Sequence, residues 1–411
     1  MIRTANRLDH IEPFYVMELA KAAASIAQSP ACDLARGGEP MVFLNIGEPD
    51  FTAARPVVDA AQRCLEQGHT AYTQATGLLE LRLRLSAWYA ARFQVQVDPD
   101  CIVITAGSSA ALQLACLALF EPGDDVLMPD PSYPCNRHFV AATGATPRLL
   151  ATDASTRFQP DAARVESAWG PNTRGVLLAS PSNPTGTSIG RSALASIVQT
   201  AKARGGVTLV DEIYLGLSYD EAFGHSALSL RDEQGQLLTE HMISINSFSK
   251  YFGMTGWRLG WMVLPRELVA PVERLAQNLY ICPSTISQHA ALACFEPDSL
   301  AEFETRRTEF ARRRDYCVQA LQDMGLPVPV LPDGAFYAWF DCSRFSSDSW
   351  DFCDHMMHRA HVALTPGRDF GPRWARQFVR LSFASCMAQL ETAMQRLRRE
   401  LPALETAVSG R

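Results

Sequence analysis

Four short segments of the sequence gather residue types that could do chemistry. Lys250 closes Ser247-Phe248-Ser249-Lys250, and a lysine able to become neutral is a nucleophile toward aldehydes and forms Schiff bases. Asp211 directly follows the apolar run Val207–Val210 and opens Asp211-Glu212-Ile213-Tyr214. A carboxylate there is costly to bury without a cationic partner, and a buried carboxylate can hold a pyridine nitrogen protonated, making the ring an electron sink. Gly107, Ser108 and Ser109 stand where the run Cys101–Thr105 gives way to a helical pattern. Fresh helix N–H groups beside two serines suit a phosphate, as do Ser249 and Arg258 further along. Asn183 sits between Pro181 and Pro184, which fix the backbone that aims its amide. Taken singly, each residue reads more readily as a loop polar group, a helix cap or a surface charge. Set together at the ends of successive apolar runs, they describe a site for one ligand with an aldehyde, a pyridine nitrogen and a phosphate.

The elements that must carry these residues are written in the hydrophobic pattern. Runs rich in Val, Ile and Leu occur at Cys101–Thr105, Asp125–Met128, Arg174–Ala179, Val207–Val210, Met242–Asn246 and Leu259–Leu264. Helical patterns at Ala110–Phe120, Cys135–Thr143, Ala162–Trp169 and Ser192–Arg204 separate them. Continuous apolar strands alternating with helices predict βαβ units and a mostly parallel, doubly covered sheet. In such a sheet ligands bind beyond the carboxyl ends of the strands, where the segments above fall. The last third reads as a smaller α+β domain. Helices are expected near Ser284–Phe295 and Ser299–Met324, strands at Ala335–Phe340, Val362–Thr365 and Phe378–Phe383, and a closing helix from Met387. The first fifty residues show an amphipathic helix around Val16–Ala27 and no strand of their own, and are expected to pack on the smaller domain or on another subunit.

Asn183-Pro184-Thr185-Gly186, Asp211-Glu212-Ile213-Tyr214 and the stretch from Ser247 to Gly260 resemble the class I/II aminotransferases, the aspartate-aminotransferase-like enzymes of fold type I that use pyridoxal 5′-phosphate. The likeness runs from Asn45-Ile46-Gly47-Glu48-Pro49-Asp50-Phe51 to Val379-Arg380-Leu381-Ser382-Phe383. It implies that Lys250 forms the Schiff base with the cofactor and then serves as general base. Asp211 pairs with the ring nitrogen, and Asn183 and Tyr214 bond the phenolic oxygen. Gly107, Ser108, Ser109, Ser247, Ser249 and Arg258 hold the phosphate, and Tyr133 stacks on the ring. Tyr72 matches the tyrosine that reaches the phosphate of a neighbouring subunit, which implies a homodimer with shared active sites. Arg380 grips the substrate α-carboxylate beside Gly47 and Asn183. The implied reaction moves an amino group between an α-amino acid and a 2-oxo acid through a pyridoxamine phosphate form. A carbon–sulfur β-lyase or a decarboxylase is the alternative on the same fold. The implied domains are an arm with part of the small domain (1–50), a large cofactor-binding domain (51–290) and a C-terminal small domain (291–411). Some aspartate-specific members carry a lysine in the turn that here reads Ser108-Ser109-Ala110, so the likeness does not name the donor. Side-chain specificity is expected from Pro13–Met17, the region near Tyr280 and partner loops.

Composition excludes other classes. The 411 residues carry a net charge of −7 with no basic block, against a nucleic-acid partner. The triplet Arg312-Arg313-Arg314 and Arg396–Arg399 read as solvated helix faces. The 11 cysteines form no C-x-x-C, which fits a reducing cytoplasm and no zinc ribbon. His355, His358 and His361 read as a solvated or interface face, and no metal site is expected. No apolar run is long enough for a membrane span, and the N-terminus lacks the apolar core of a signal peptide. Ser247-x-x-Lys250 matches the S-x-x-K of penicillin-recognising enzymes without their companion motifs. A cofactor-sensing transcription factor needs a DNA-binding domain ahead of Asn45, where only a helix is read.

Overall fold

The structure, a computed structural model, describes residues 2–13 and 15–409, the last four as backbone. Phe14, within the stretch expected to set specificity, lies outside the described residues. The chain starts with α1 (Tyr15–Ala27), β1 (Val42–Phe43), α2 (Arg55–Glu66) and α3 (Leu79–Phe93). There follow β2 (Ile102–Thr105), α4 (Gly107–Leu119), β3 (Asp125–Asp130), α5 (Pro134–Thr143), β4 (Thr146–Ala151) and α6 (Ala162–Ala168). Next come β5 (Thr173–Ala179), α7 (Arg191–Ala203), β6 (Val207–Asp211), β7 (Met242–Ser247) and β8 (Gly260–Val263). The remainder is α8 (Arg266–Leu279), α9 (Thr285–Leu292), α10 (Pro297–Asp323), β9 (Tyr337–Asp341), α11 (Ser349–His355), β10 (Val362–Ala363), β11 (Thr365–Pro366), β12 (Phe378–Ser382) and α12 (Met387–Ser409).

Seven strands form the main sheet in the order β2-β8-β7-β6-β5-β3-β4, parallel except where β8 runs against β2 and β7. The expected α/β body is therefore present, and its central strands are buried over nearly their whole length, as apolar runs covered on both faces require. Ala179, Asp211 and Ile245 are in register across β5, β6 and β7, so β5 and β6 finish level and β7 runs two residues further, to Ser247. A three-stranded antiparallel sheet, β11-β12-β9, forms separately.

Several expectations need correction. The first fifty residues do contain a strand: β1 pairs in parallel with β10, too short to show a pattern. Val362–Thr365 is accordingly not one strand, because β10 joins β1 while β11 joins β12. The edge strand β4 went unread because its residues alternate toward solvent and are mostly exposed or half-buried, without a continuous apolar run. Tyr337 begins β9, since Ala335 has a φ of 57° and cannot extend it. The arginine faces are not simply solvated. Arg313 is 4% exposed, and Arg396, also buried, donates to the carbonyls of Pro40 and Ala360. After α11 the chain forms a π-helix at Met356–Ala360 and His361 turns left-handed, so the three histidines do not share one helical face. No cluster able to hold a metal occurs among the described residues.

The loop after β7 is clamped from below by aromatics. Phe248 is fully buried, with ring centroids 4.9 Å from both Phe252 and Trp261. Burying such a side chain contributes roughly 1.5–3 kcal/mol, so Ser247, Ser249 and Lys250 ride on a fixed backbone.

Arg313 ties together three distant segments. From α10 it contacts Asp50 at 2.8 Å, Glu309 at 2.9 Å and the Ala384 carbonyl at 3.1 Å. Removing one partner of a fully buried pair costs roughly 3–5 kcal/mol. Asp50 and Glu309 keep 29% and 27% exposure and can rehydrate, which lowers the cost. Arg313→Ala is therefore expected to lose about 2 kcal/mol, read from the urea midpoint at unchanged slope.

Candidate active site

The carboxyl ends of the strands open into one cavity of about 500 Å³. Its polar wall carries Ser108, Ser109, Tyr133, Asn183, Asp211, Tyr214, Ser249, Lys250, Arg258 and Arg380, with Gly47 at the rim. Residues spread over more than three hundred positions thus meet around one space.

Each is placed by a local cause. Gly107 opens α4 with a φ of 79°, a conformation glycine adopts without strain, and a Cβ there would stand 2.7 Å from the Arg258 guanidinium. The helix N-terminus can thus approach Arg258 closely, with the Ser108 and Ser109 hydroxyls beside it in the cavity wall. Ser249 Oγ accepts from Ser247 Oγ at 2.9 Å, and Ser247 Oγ in turn accepts from the Ser249 backbone N–H at 3.0 Å. Ser247 itself is buried behind Ser249 and does not line the cavity, so within this chain it supports the wall and is not part of it. Gly107 likewise contributes its shape to the site while standing outside the cavity lining.

Asp211 ends β6 buried, accepting the Ile213 N–H at 3.2 Å. Burial pushes its carboxyl up to about 7, against the opposing pull of that bond and of Lys250. Lys250 Nζ donates to the Gly47 carbonyl at 2.6 Å. Burial draws its ammonium down to about 8; Arg380 and Arg258 act in the same direction, while Glu48 and Asp211 oppose them. The Tyr214 and Tyr337 hydroxyls are 2.7 Å apart, and burial holds both phenols above their ordinary pKa. A Cβ on Gly47 would run into the Tyr337 hydroxyl, which explains a glycine at the rim.

Arg380, 2% exposed on β12, lies between the rings of Tyr337 and Phe370 at 4.5 and 5.0 Å. It donates to Asn183 Oδ1 at 2.9 Å, the Asn45 carbonyl at 2.6 Å and Thr365 Oγ1 at 3.3 Å. Its Nε has no partner among the described residues. A buried guanidinium held by neutral acceptors with a donor to spare suits an incoming carboxylate.

Two expected residues fall elsewhere. Tyr72 is 80% exposed and lines a separate surface groove with His69, Thr285 and His289. Tyr280 donates to Gln113 and stands outside the cavity. Conversely, the sequence reading missed Tyr337, which no spacing signalled, and Asp369, whose Oδ1 accepts the Tyr15 N–H at 3.1 Å. Val16 and Met17 do line the cavity, joined by Ala20 and Ile46, an apolar face that helical spacing on α1 could have indicated.

The family model for aminotransferase class I and II matches residues 39–397. The chain belongs to the class I and II aminotransferases. The chain is 38% identical to the valine–pyruvate aminotransferase of Mycobacterium tuberculosis, over 95% of this chain and 97% of that one. It is 34% identical to an aspartate aminotransferase of Thermotoga maritima, over 96% and 98% respectively. The solved aspartate aminotransferase of Thermus thermophilus with maleate superposes with a TM-score of 0.87 at 31% identity, covering 97% of this chain and all of that one. The protein is thus a transaminase of fold type I, moving amino groups between amino acids and 2-oxo acids, and not the lyase or decarboxylase of the alternative reading.

The ligand-free site carries a cost that can be measured. The folded-state pKa of Asp211 lies above its ordinary 3.8, so between about pH 4 and pH 7 the folded protein binds more protons than the unfolded chain. Stability therefore falls as pH rises through that window. Asp211→Asn lacks this titration. In ligand-free protein the variant's advantage over wild type is expected to be near zero at pH 4, to grow through the window, and to level off above pH 7. The plateau is on the order of 4 kcal/mol, read by urea unfolding across the pH series.

Proposed function

We propose that the cavity holds pyridoxal 5′-phosphate and that Lys250 would carry it at rest, its amine being freed when the amino donor takes its place. One observation supports this above others: Lys250, Asp211 and Arg380 meet in a single cavity whose far end is a helix start with serine hydroxyls and Arg258. The donor set fits the group. Ser108, Ser109, Ser249, Arg258 and the first N–H groups of α4 suit the phosphate, and Ser247 steadies Ser249. Tyr133 suits the ring face, Asp211 the ring nitrogen, and Asn183 and Tyr214 the phenolic oxygen.

When bound, the cofactor supplies an aldehyde carbon for the donor nitrogen and a protonated ring that takes up electrons from the broken Cα–H bond. Asp211, ionised beside that ring, keeps its nitrogen protonated. Arg380 holds the donor carboxylate, with Asn183 and the Asn45–Gly47 segment fixing the guanidinium. Lys250 Nζ, its pKa drawn down to about 8, removes the Cα proton as general base and holds it for return. Burial serves this role directly: at pH 7 a pKa of about 8 leaves roughly a tenth of the amine neutral, against well under a thousandth for an ordinary lysine.

The proposed assembly is a homodimer in which Tyr72, exposed and apart from its own chain's cavity, reaches the neighbour's phosphate. The proposed division is an arm with part of the small domain at 1–50, a large domain at 51–290 and a small domain at 291–411. In support of it, the main sheet is built within 102–263, while β1 joins the C-terminal strand β10. The proposed location is the cytoplasm; the described cysteines are all free. No described helix is long and apolar enough to cross a membrane.

Lys250→Ala tests the assignment. Supplied with cofactor, the variant is expected to lose the pH-dependent visible absorbance of the lysine-bound form and at least ~10³ in transamination rate. A variant that keeps the wild-type rate would overturn it.

A further inference from the structure

We infer that the amino donor carries an apolar side chain of several carbons, selected by Val16, Met17, Ala20 and Ile46; this rests on the reading of the cavity proposed above. The relatives do not decide the point, since one is named for valine and others for aspartate.

The anchors fix where the donor's side chain goes. Arg380 reaches the Asn45 carbonyl and Lys250 the Gly47 carbonyl, so one short segment spans the carboxylate end and the amine end of the site. Ile46 stands between them in the chain and lines the cavity. The ring wall and the phosphate end are taken by the polar residues already described. The wall left for the side chain is Ile46 and the face of α1 that presents Val16, Met17 and Ala20. Val16 and Ala20 are four residues apart and so share one helix face.

This wall is held in place. Leu19 and Ala23, adjoining that face on α1, pack in a cluster with Met41, Met357 and Ala363. Its first turn is tied down by the Tyr15 N–H bond to Asp369. Asp369 itself lies in the loop after β11, within the electrostatic reach of Arg380.

Charge argues against a dicarboxylate. The cations lining the cavity are Lys250, Arg258 and Arg380, each already engaged by the amine, the phosphate or the α-carboxylate. The remaining charge on the wall is Glu48, whose carboxylate accepts the Thr255 hydroxyl and would repel a second carboxylate. Arg137, on α5, bonds the Asp369 carbonyl at 2.9 Å and stands outside the lining. Within this chain, a side-chain carboxylate entering here would lose water without gaining a cationic partner. An apolar side chain gains roughly fourfold in binding for each methylene moved from water onto the wall.

Calorimetry on the cofactor-loaded enzyme tests this with acids that lack the amino group and are not turned over. 4-Methylpentanoate is expected to bind at least tenfold more tightly than glutarate at equal salt. Met17→Arg, at an exposed helix position where the fold tolerates change, is expected to shift that ratio at least tenfold toward glutarate. In single half-reactions followed by cofactor absorbance, leucine is expected to be at least tenfold more efficient than glutamate. Glutarate binding as tightly as 4-methylpentanoate, glutamate outperforming leucine, or an unchanged ratio in Met17→Arg would each overturn the inference. Should no amino acid change the absorbance while the binding preference persists, the transamination assignment fails and the apolar wall stands.

Discussion

The structure depends on one electrostatic constraint: an amine, a carboxylate and a guanidinium are gathered around one cavity before any ligand neutralises them. Asp211 and Arg380 are buried and Lys250 is half-buried, and desolvation moves Lys250 and Asp211 toward their neutral forms. In an ordinary core such an arrangement would be replaced by hydrocarbon at a gain in stability. Here the unmet demand is the function. A ligand bringing a pyridine nitrogen, a phosphate and a carboxylate supplies the missing partners, and its binding returns the desolvation cost as affinity.

The fold can be understood as what keeps these groups from relaxing away. Level strand ends put Asp211 and the Asn183 loop on one rim. The buried aromatics under Phe248 deny the Lys250 loop an alternative conformation. Arg380 is pinned by stacking between two rings and by three hydrogen bonds. Segments near the N-terminus, the centre and the C-terminus all contribute, and Arg313 locks the first and last of these to α10.

Much of this was legible in the sequence, for identifiable reasons. The apolar runs gave the central strands because a strand covered on both faces has little freedom of composition. The polar residues directly after those runs gave the site because strand ends are where ligands bind in such sheets. What was hidden follows physical limits as well. A two-residue strand such as β1 has no period to read, and the solvent-facing edge strand β4 has no apolar run. Arg313 and Arg396 looked like surface charges because helical spacing does not report a long-range carboxylate or carbonyl partner. Tyr337 reaches the site, and Asp369 the start of α1, through contacts with residues far away in the chain.

The central claim is that burial, assisted by two nearby guanidinium groups, tunes the Lys250 amine toward neutrality before the cofactor arrives. Its titration in cofactor-free protein, followed by the pH dependence of site-specific amine labelling or by lysine NMR, tests this most directly. The account predicts an apparent pKa of about 8. A value at the ordinary 10.5 would contradict it, because the amine would then be indistinguishable from a solvated lysine.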